Sequence, residues 1–189
     1  MIISVGRETG AGGRELAHKL SDKLGWTYLN KDKLLKKADE IGFFEEMYEF
    51  YNEVPVSSLL QAISKNEVAA SSKKNIISKI YKKLSSHGDY IVMGRCANYF
   101  LREEEGCFSV FLHANFDFKL KRLLAQGYSK SDAIDYMETS DEGRQRFHKY
   151  YTNENWGDTK NYDLCINTAF CGVDNAVKLI EDFSKLKLS

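Results

Sequence analysis

The sequence predicts an α/β protein in three layers, a central parallel five-stranded sheet flanked by helices. Three observations carry this. Short apolar runs of strand length alternate with stretches whose apolar residues recur at helical spacing, a pattern that implies helical crossovers between parallel strands. The first such run passes at once into a glycine-rich turn and then a helix, and open sheets of this kind place their ligands at the carboxyl ends of the strands. The length of 189 residues suits one domain with one core, expected over residues 1–189.

Taken in order, Ile2-Ile3-Ser4-Val5 fits a strand buried on both faces. After the glycine turn, Leu16, Ala17, Leu20 and Leu24 recur at helical spacing, and Gly25 is placed as a stop. Thr27-Tyr28-Leu29 predicts a second strand, and residues 31–50, charged and aromatic without a clean period, are read as helical. Pro55 breaks the chain before Leu59, Leu60 and Ile63, which can share a helix face. Ile76, Ile77, Ile80, Tyr81 and Leu84 form a clear apolar stripe that ends at Ser85-Ser86-His87-Gly88.

Tyr90-Ile91-Val92-Met93 and Ser109-Val110-Phe111-Leu112 predict the next two strands, separated by Gly94-Arg95 and a short helical stretch through Leu101. Leu120, Leu123 and Leu124 indicate another helix. Ser129-Lys130-Ser131-Asp132 has the form of an N-cap and precedes a further short helix at Ala133-Ile134. Leu164-Cys165-Ile166-Asn167 reads as the last strand, and Val173, Ala176, Val177, Ile180 and Phe183 give the clearest helical stripe of all.

Composition narrows the function classes. With 43% hydrophobic and 29% charged residues the chain has the make-up of an ordinary globular protein. Its 27 basic and 27 acidic side chains cancel, so no global field draws it to nucleic acid or to an anionic membrane, and a phosphate ligand needs a local positive site. No apolar run reaches the roughly 18 residues that span a bilayer, and Met1 leads into a strand without a basic leader, which points to the cytoplasm. Cys96, Cys107, Cys165 and Cys171 form no CxxC and no zinc spacing, so reduced thiols and no protein-borne metal site are expected. His18, His87, His113 and His148 share no spacing and read as surface or core residues.

The chemistry concentrates in Gly6-Arg7-Glu8-Thr9-Gly10-Ala11-Gly12-Gly13-Arg14-Glu15. Glycines there let successive backbone N–H groups converge on an anion, while the helix N-terminus adds its positive end. A tight turn alone needs one or two glycines; this stretch has four, Gly6, Gly10, Gly12 and Gly13, with two arginines, Arg7 and Arg14, so a phosphate site is expected. The stretch resembles a P-loop in which Gly10-Ala11-Gly12 matches the Gly-x-Gly before the usual lysine. Arg7 stands where the first motif glycine belongs, Gly13 at the lysine, and Arg14 at the Ser/Thr.

Further segments widen the resemblance to nearly the whole chain: Tyr28-Leu29-Asn30-Lys31, Gly94-Arg95-Cys96-Ala97, Asp141-Glu142-Gly143-Arg144, Trp156-Gly157-Asp158 and Asn161-Tyr162-Asp163-Leu164. Together they resemble the cytidylate kinase-like family, a branch of the nucleoside monophosphate kinases with this altered loop. The resemblance implies a P-loop fold with a monophosphate-binding insert at about residues 30–85 and a lid at about 126–160. It implies transfer of the γ-phosphoryl group of ATP to a nucleoside monophosphate, a small-molecule nucleotide partner, and Mg²⁺ held through ATP phosphates and water, with Glu8 or Glu15 beside it. Arg7, Thr9, Gly10, Ala11, Gly12, Gly13 and Arg14 would bind the ATP phosphates. Asn30, Arg95, Asp141 and Arg144 would contact the acceptor, and Arg14, Arg144 and Arg122 would act in catalysis, with Arg146 also within reach.

Arginine suits these roles because its planar fork bonds two phosphate oxygens and keeps its charge. Asp141 and Arg144, three apart, share one helix face, where a surface ion pair is the alternative reading. Trp156 can stack on a base or anchor a loop. Cys96 stands where the family's better-known members have aspartate, and Met137 where a further lid arginine is expected, so the acceptor stays open. The rival functions are a non-catalytic phospholigand-binding regulator and a kinase for another small molecule.

Overall fold

A computed structural model describes residues 1–52 and 67–187 of the chain. Five strands, β1 (Ile2–Arg7), β2 (Thr27–Leu29), β3 (Tyr90–Met93), β4 (Cys107–His113) and β5 (Leu164–Asn167), form one sheet in the order β2-β3-β1-β4-β5. All its pairings are parallel. The central strand β1 pairs Ile3 with Ile91 on one side and with Phe108 on the other, and its residues 2–5 are buried, as the apolar run predicts for a strand covered on both faces.

The helices are α1 (Gly13–Leu24), α2 (Lys31–Glu40), α3 (Phe44–Asn52), α4 (Glu67–Ser85), α5 (Ala97–Phe100), α6 (Phe116–Ala125), α7 (Lys130–Thr152) and α8 (Thr168–Lys187). Two cores follow from the two sheet faces. On one, Ile2, Leu29 and Val92 pack with Leu34, Met47, Phe50, Ile77, Tyr81, Phe147 and Tyr151 from α2, α3, α4 and α7. On the other, Ile3, Val5 and Val110 pack with Leu16 and Leu20 of α1 and with Val173, Val177 and Ile180 of α8.

Residues 31–50 are helical as expected, in two helices, because Ile41-Gly42-Phe43 turns the chain with Gly42 at φ 77°. One expectation needs correcting. The short helix expected after Ser129 runs for 23 residues. Ser129 does cap it, accepting from the Asp132 N–H at 3.2 Å, but Phe147, His148, Tyr151 and Thr152 are buried at its far end, and that burial extends it. The last helix is broken at Gly172 (φ 75°, ψ 163°), and its long stripe begins at Val173, as the apolar spacing predicts. The helix face expected at Leu59, Leu60 and Ile63 lies outside the described residues. Among the described residues, no helix is long and apolar enough to cross a membrane.

Candidate functional site

The turn between β1 and α1 is fastened from several elements. Gly10 and Gly12 adopt φ of 84° and 87°, left-handed values that glycine takes without strain. Thr168 at the head of α8 donates its hydroxyl to the Ala11 carbonyl at 2.9 Å. The Glu8 carboxylate accepts from Ala114 N–H at 3.2 Å and from Lys119 Nζ at 2.9 Å. Thr9 donates its N–H (2.9 Å) and its hydroxyl (2.8 Å) to Asp141 Oδ1. Arg144 Nη1 donates to Thr9 Oγ1 at 2.6 Å and to Asp141 Oδ1 at 2.5 Å. The i, i+3 pair on α7 is therefore a clasp on the glycine turn and not a solvated surface pair.

A cleft of about 680 Å³ opens where β1, β2 and β3 end. Arg7, Arg14, Arg95, Arg144, Arg146 and Lys31 line it, and Asp32 is the acidic side chain among its described lining residues. Arg14 lies exposed on the first turn of α1, and Asn30 sits at the rim, where its side chain caps α2 by accepting from Lys33 N–H at 2.9 Å. Among the described residues, neither Arg7 nor Arg14 is paired with a carboxylate. Burial, with the neighbouring Arg144 charge, lowers the Arg7 pKa to about 10.

Arg95 is delivered by backbone strain. Gly94, Arg95 and Cys96 have φ of 70°, 51° and 56°, and a non-glycine residue in this region costs about 1–2 kcal/mol. The turn sets the guanidinium carbon 4.3 Å from the Phe147 ring centroid and 5.2 Å from that of Tyr51, a cation–π bracket that steadies the side chain without neutralising it. Burial pushes the Tyr51 hydroxyl and the Cys96 thiol up, so both stay protonated.

Arg122 does not line the cleft but lies beside the glycine turn, where a Cβ added at Gly12 would stand 3.5 Å from its guanidinium carbon; its Nη2 donates to Glu15 Oε2 at 2.5 Å. Glu15 also pairs with Lys19 at 2.8 Å, and these two cations hold its carboxyl below the usual range. Glu8 and Glu15 are thus both engaged by basic side chains, and among the described residues no group of three His, Cys, Asp or Glu side chains is set to hold a metal ion. Met137 is buried with Leu123 and Ala133 between α6 and α7, where an arginine would be out of place. Trp156 stands edge-on to Phe111, centroids 5.2 Å apart, between the main cleft and a smaller cavity of about 310 Å³.

Sequence reasoning missed the aromatic bracket of Arg95. Phe147 follows Arg144 by three residues and so shares its face of α7, a signal that was available; nothing local points to Tyr51. It also missed the floor of the cleft, where Ser4 Oγ and His148 Nε2 are buried without a hydrogen-bond partner among the described residues. Burial lowers the His148 pKa.

Comparison with known proteins bears on this geometry. A family model described as the cytidylate kinase-like family matches residues 2–169. A cytidylate kinase of Saccharolobus islandicus (strain Y.G.57.14 / Yellowstone #1) is 25% identical over 197 residues, covering 98% of this chain and 92% of the relative. Among solved structures, an uncharacterized protein from Eubacterium ventriosum ATCC 27560 superposes with a TM-score of 0.71 at 26% identity, covering 98% of each chain. A shikimate kinase from Bacteroides thetaiotaomicron, 14% identical and likewise covering 98% of each chain, shares the fold with a TM-score of 0.50.

Proposed function

The chain belongs to the cytidylate kinase-like family, and on that footing we propose that it is a nucleoside monophosphate kinase, moving the γ-phosphoryl group of ATP onto a monophosphate acceptor. The observation that carries the proposal is the cleft itself: five arginines and a lysine line one cavity with Asp32 as the acidic side chain among its described lining residues, in a chain whose net charge is zero. That local excess of positive charge has the sign and shape for two phosphorylated ligands meeting end to end.

In this reading the amides of Gly10 to Arg14, at the start of α1, cradle the donor phosphates. Arg95, held between Phe147 and Tyr51, grips the acceptor monophosphate, with Asn30 at the rim. Arg144 uses Nη1 to clasp the turn, leaving its other donors free for the phosphoryl group, and Asp141 orients it. The region 126–160 serves as the lid and 30–85 as the acceptor-side insert. An acceptor phosphate oxygen bonds to the γ-phosphorus as the bond to the β-bridging oxygen breaks, and the electron pair leaves with ADP. The acceptor is already an anion, so no side chain need remove a proton; positioning and charge stabilisation supply the catalysis.

Magnesium would accompany ATP and would offset the charge of its phosphates. The chain offers cations and amides to those oxygens, while its two carboxylates nearest the turn, Glu8 and Glu15, are engaged by Lys119, Lys19 and Arg122. ATP oxygens and water are therefore assigned to the metal.

The test is ADP formation from ATP and Mg²⁺ against a panel of nucleoside monophosphates and small alcohols, with Arg95→Ala and Arg144→Ala in parallel. Acceptor-dependent ADP that falls in both variants supports the proposal and identifies the acceptor. Absence of turnover together with thermal stabilisation by nucleotide would favour a phospholigand-binding regulator instead.

A further inference from the structure

Two of the three departures from the lysine-bearing loop, Arg7 and Gly13, meet in space. A Cβ added at Gly13 would lie 2.7 Å from Arg7 Cγ, 3.2 Å from its Cβ and 3.4 Å from its Cδ. One added at Gly94 would lie 2.6 Å from Arg7 Nη1. The arginine stem therefore crosses the first residue of α1, and its guanidinium ends beside the turn that carries Arg95. Gly13 occupies the position of the motif lysine, so the stem of Arg7 fills the space in which that lysine side chain would begin. A side chain at 13 and Arg7 in this position exclude each other.

The two ends of this path are different places. The stem lies against the N-terminus of α1, which attracts the donor phosphates; the tip lies against Gly94, one residue from the arginine assigned to the acceptor. The guanidinium faces a cleft and has no carboxylate among the described residues, with Arg144 as a further cation nearby. A partly buried, unpaired cation of this kind is completed by an anion. Arg14 has none of this packing: it is exposed on the outer rim of the same cleft.

We propose that Arg7 and Gly13 together replace the loop lysine, Arg7 being the cation that reaches from the donor cradle to the acceptor corner and touches the phosphoryl group in transit, and Gly13 being glycine so that Arg7 can pass. On this assignment the altered loop is a rearranged site in which the charge comes from the end of β1 instead of the first turn of α1. The planar fork of arginine can bond two phosphate oxygens at once, which a lysine in this place could not. The assignment of the phosphoryl group rests on the kinase reading; the exchange of residues and its consequence for polyphosphate binding do not.

The experiment uses two readouts, calorimetric affinity for inorganic tripolyphosphate, which has no base or sugar, and ADP formation with the acceptor panel. The variants are Arg7→Ala, Arg7→Lys, Gly13→Lys and the double variant Arg7→Ala/Gly13→Lys, each checked for folding by circular dichroism. Arg7→Ala is expected to lose about tenfold or more in tripolyphosphate affinity and on the order of 10²-fold in turnover, with Arg7→Lys between it and wild type. Gly13→Lys alone, which collides with the Arg7 stem, is expected to bind poorly or misfold. The double variant, which vacates the path, is expected to regain most of the binding.

Unchanged tripolyphosphate affinity in Arg7→Ala, or no binding of tripolyphosphate by wild type, overturns the proposal. A folded Gly13→Lys that binds as well as the double variant overturns the exchange. Arg7-dependent tripolyphosphate binding without ADP from any acceptor removes the kinase reading and leaves the Arg7 site standing; turnover that ignores Arg7 does the reverse.

Discussion

At the turn after β3 three successive residues, Gly94, Arg95 and Cys96, stand at positive φ, and the two that are not glycine are retained at a cost that the surrounding packing must offset. Gly94 has a second reason to be glycine, since a Cβ there would meet Arg7 Nη1 at 2.6 Å. Gly94→Ala is therefore expected to lose about 1–3 kcal/mol of stability, read from urea unfolding, and to weaken tripolyphosphate binding by displacing the Arg7 tip. A variant as stable as wild type would remove the strain argument. His148 gives a pH signature. Its folded pKa is lowered, chiefly by burial, so the unfolded chain takes up the proton more readily and stability rises with pH. The histidine contribution is complete above its ordinary value near 6.5 and is lost as pH falls below it. Unfolding free energies measured from about pH 7.5 to 5.5 should fall more steeply in wild type than in His148→Gln; parallel curves would exclude His148 as the cause. At this scale the sequence pointed to Arg95, because an arginine directly after a buried strand has a defined exit. It gave no hint of Tyr51, which comes to the same guanidinium from α3 across the fold.

At the scale of elements, the fastening of α7 onto the glycine turn runs through one hydroxyl. Thr9 Oγ1 donates to Asp141 and accepts from Arg144, and Thr9→Val removes both bonds while the Thr9 N–H to Asp141 remains. Hydrogen bonds to charged groups contribute about 1.5–3 kcal/mol, so the variant should be destabilised by about that much and should be cut faster by trypsin within 126–152 in the absence of ligand. If cleavage there is as slow as in wild type, the clasp does not restrain the helix. Saturating nucleotide should protect the same region, and unchanged hydrogen exchange across 126–160 on nucleotide addition would remove the lid assignment. The strands and the main stripes were legible because each rests on a local period: β2, β3 and β5 have the predicted bounds. The length of α7 was not, since its buried face is supplied by contacts of Phe147 and Tyr151 with Phe50, and those partners lie about a hundred positions away in the chain.

Over the whole molecule, equal numbers of acidic and basic residues coexist with a cleft whose charged lining residues are all cations but Asp32. Affinity for tripolyphosphate or ATP should accordingly fall several-fold as potassium chloride is raised from about 0.05 to 0.5 M, because screening shortens the reach of the cleft's field. Affinity indifferent to salt would show that the arginines are not what binds. The sequence by itself determined the class of fold, the parallel order of strand and helix, and a glycine-rich turn at the end of β1, because apolar period and glycine placement act over a few residues. Only the tertiary structure decided which charges remain free. It engages Glu8, Glu15 and Arg122 in ion pairs, brackets Arg95 with two rings, and lays Arg7 across Gly13. Those outcomes depend on which side chains meet across the sheet, and chain order carries no local period that records such meetings.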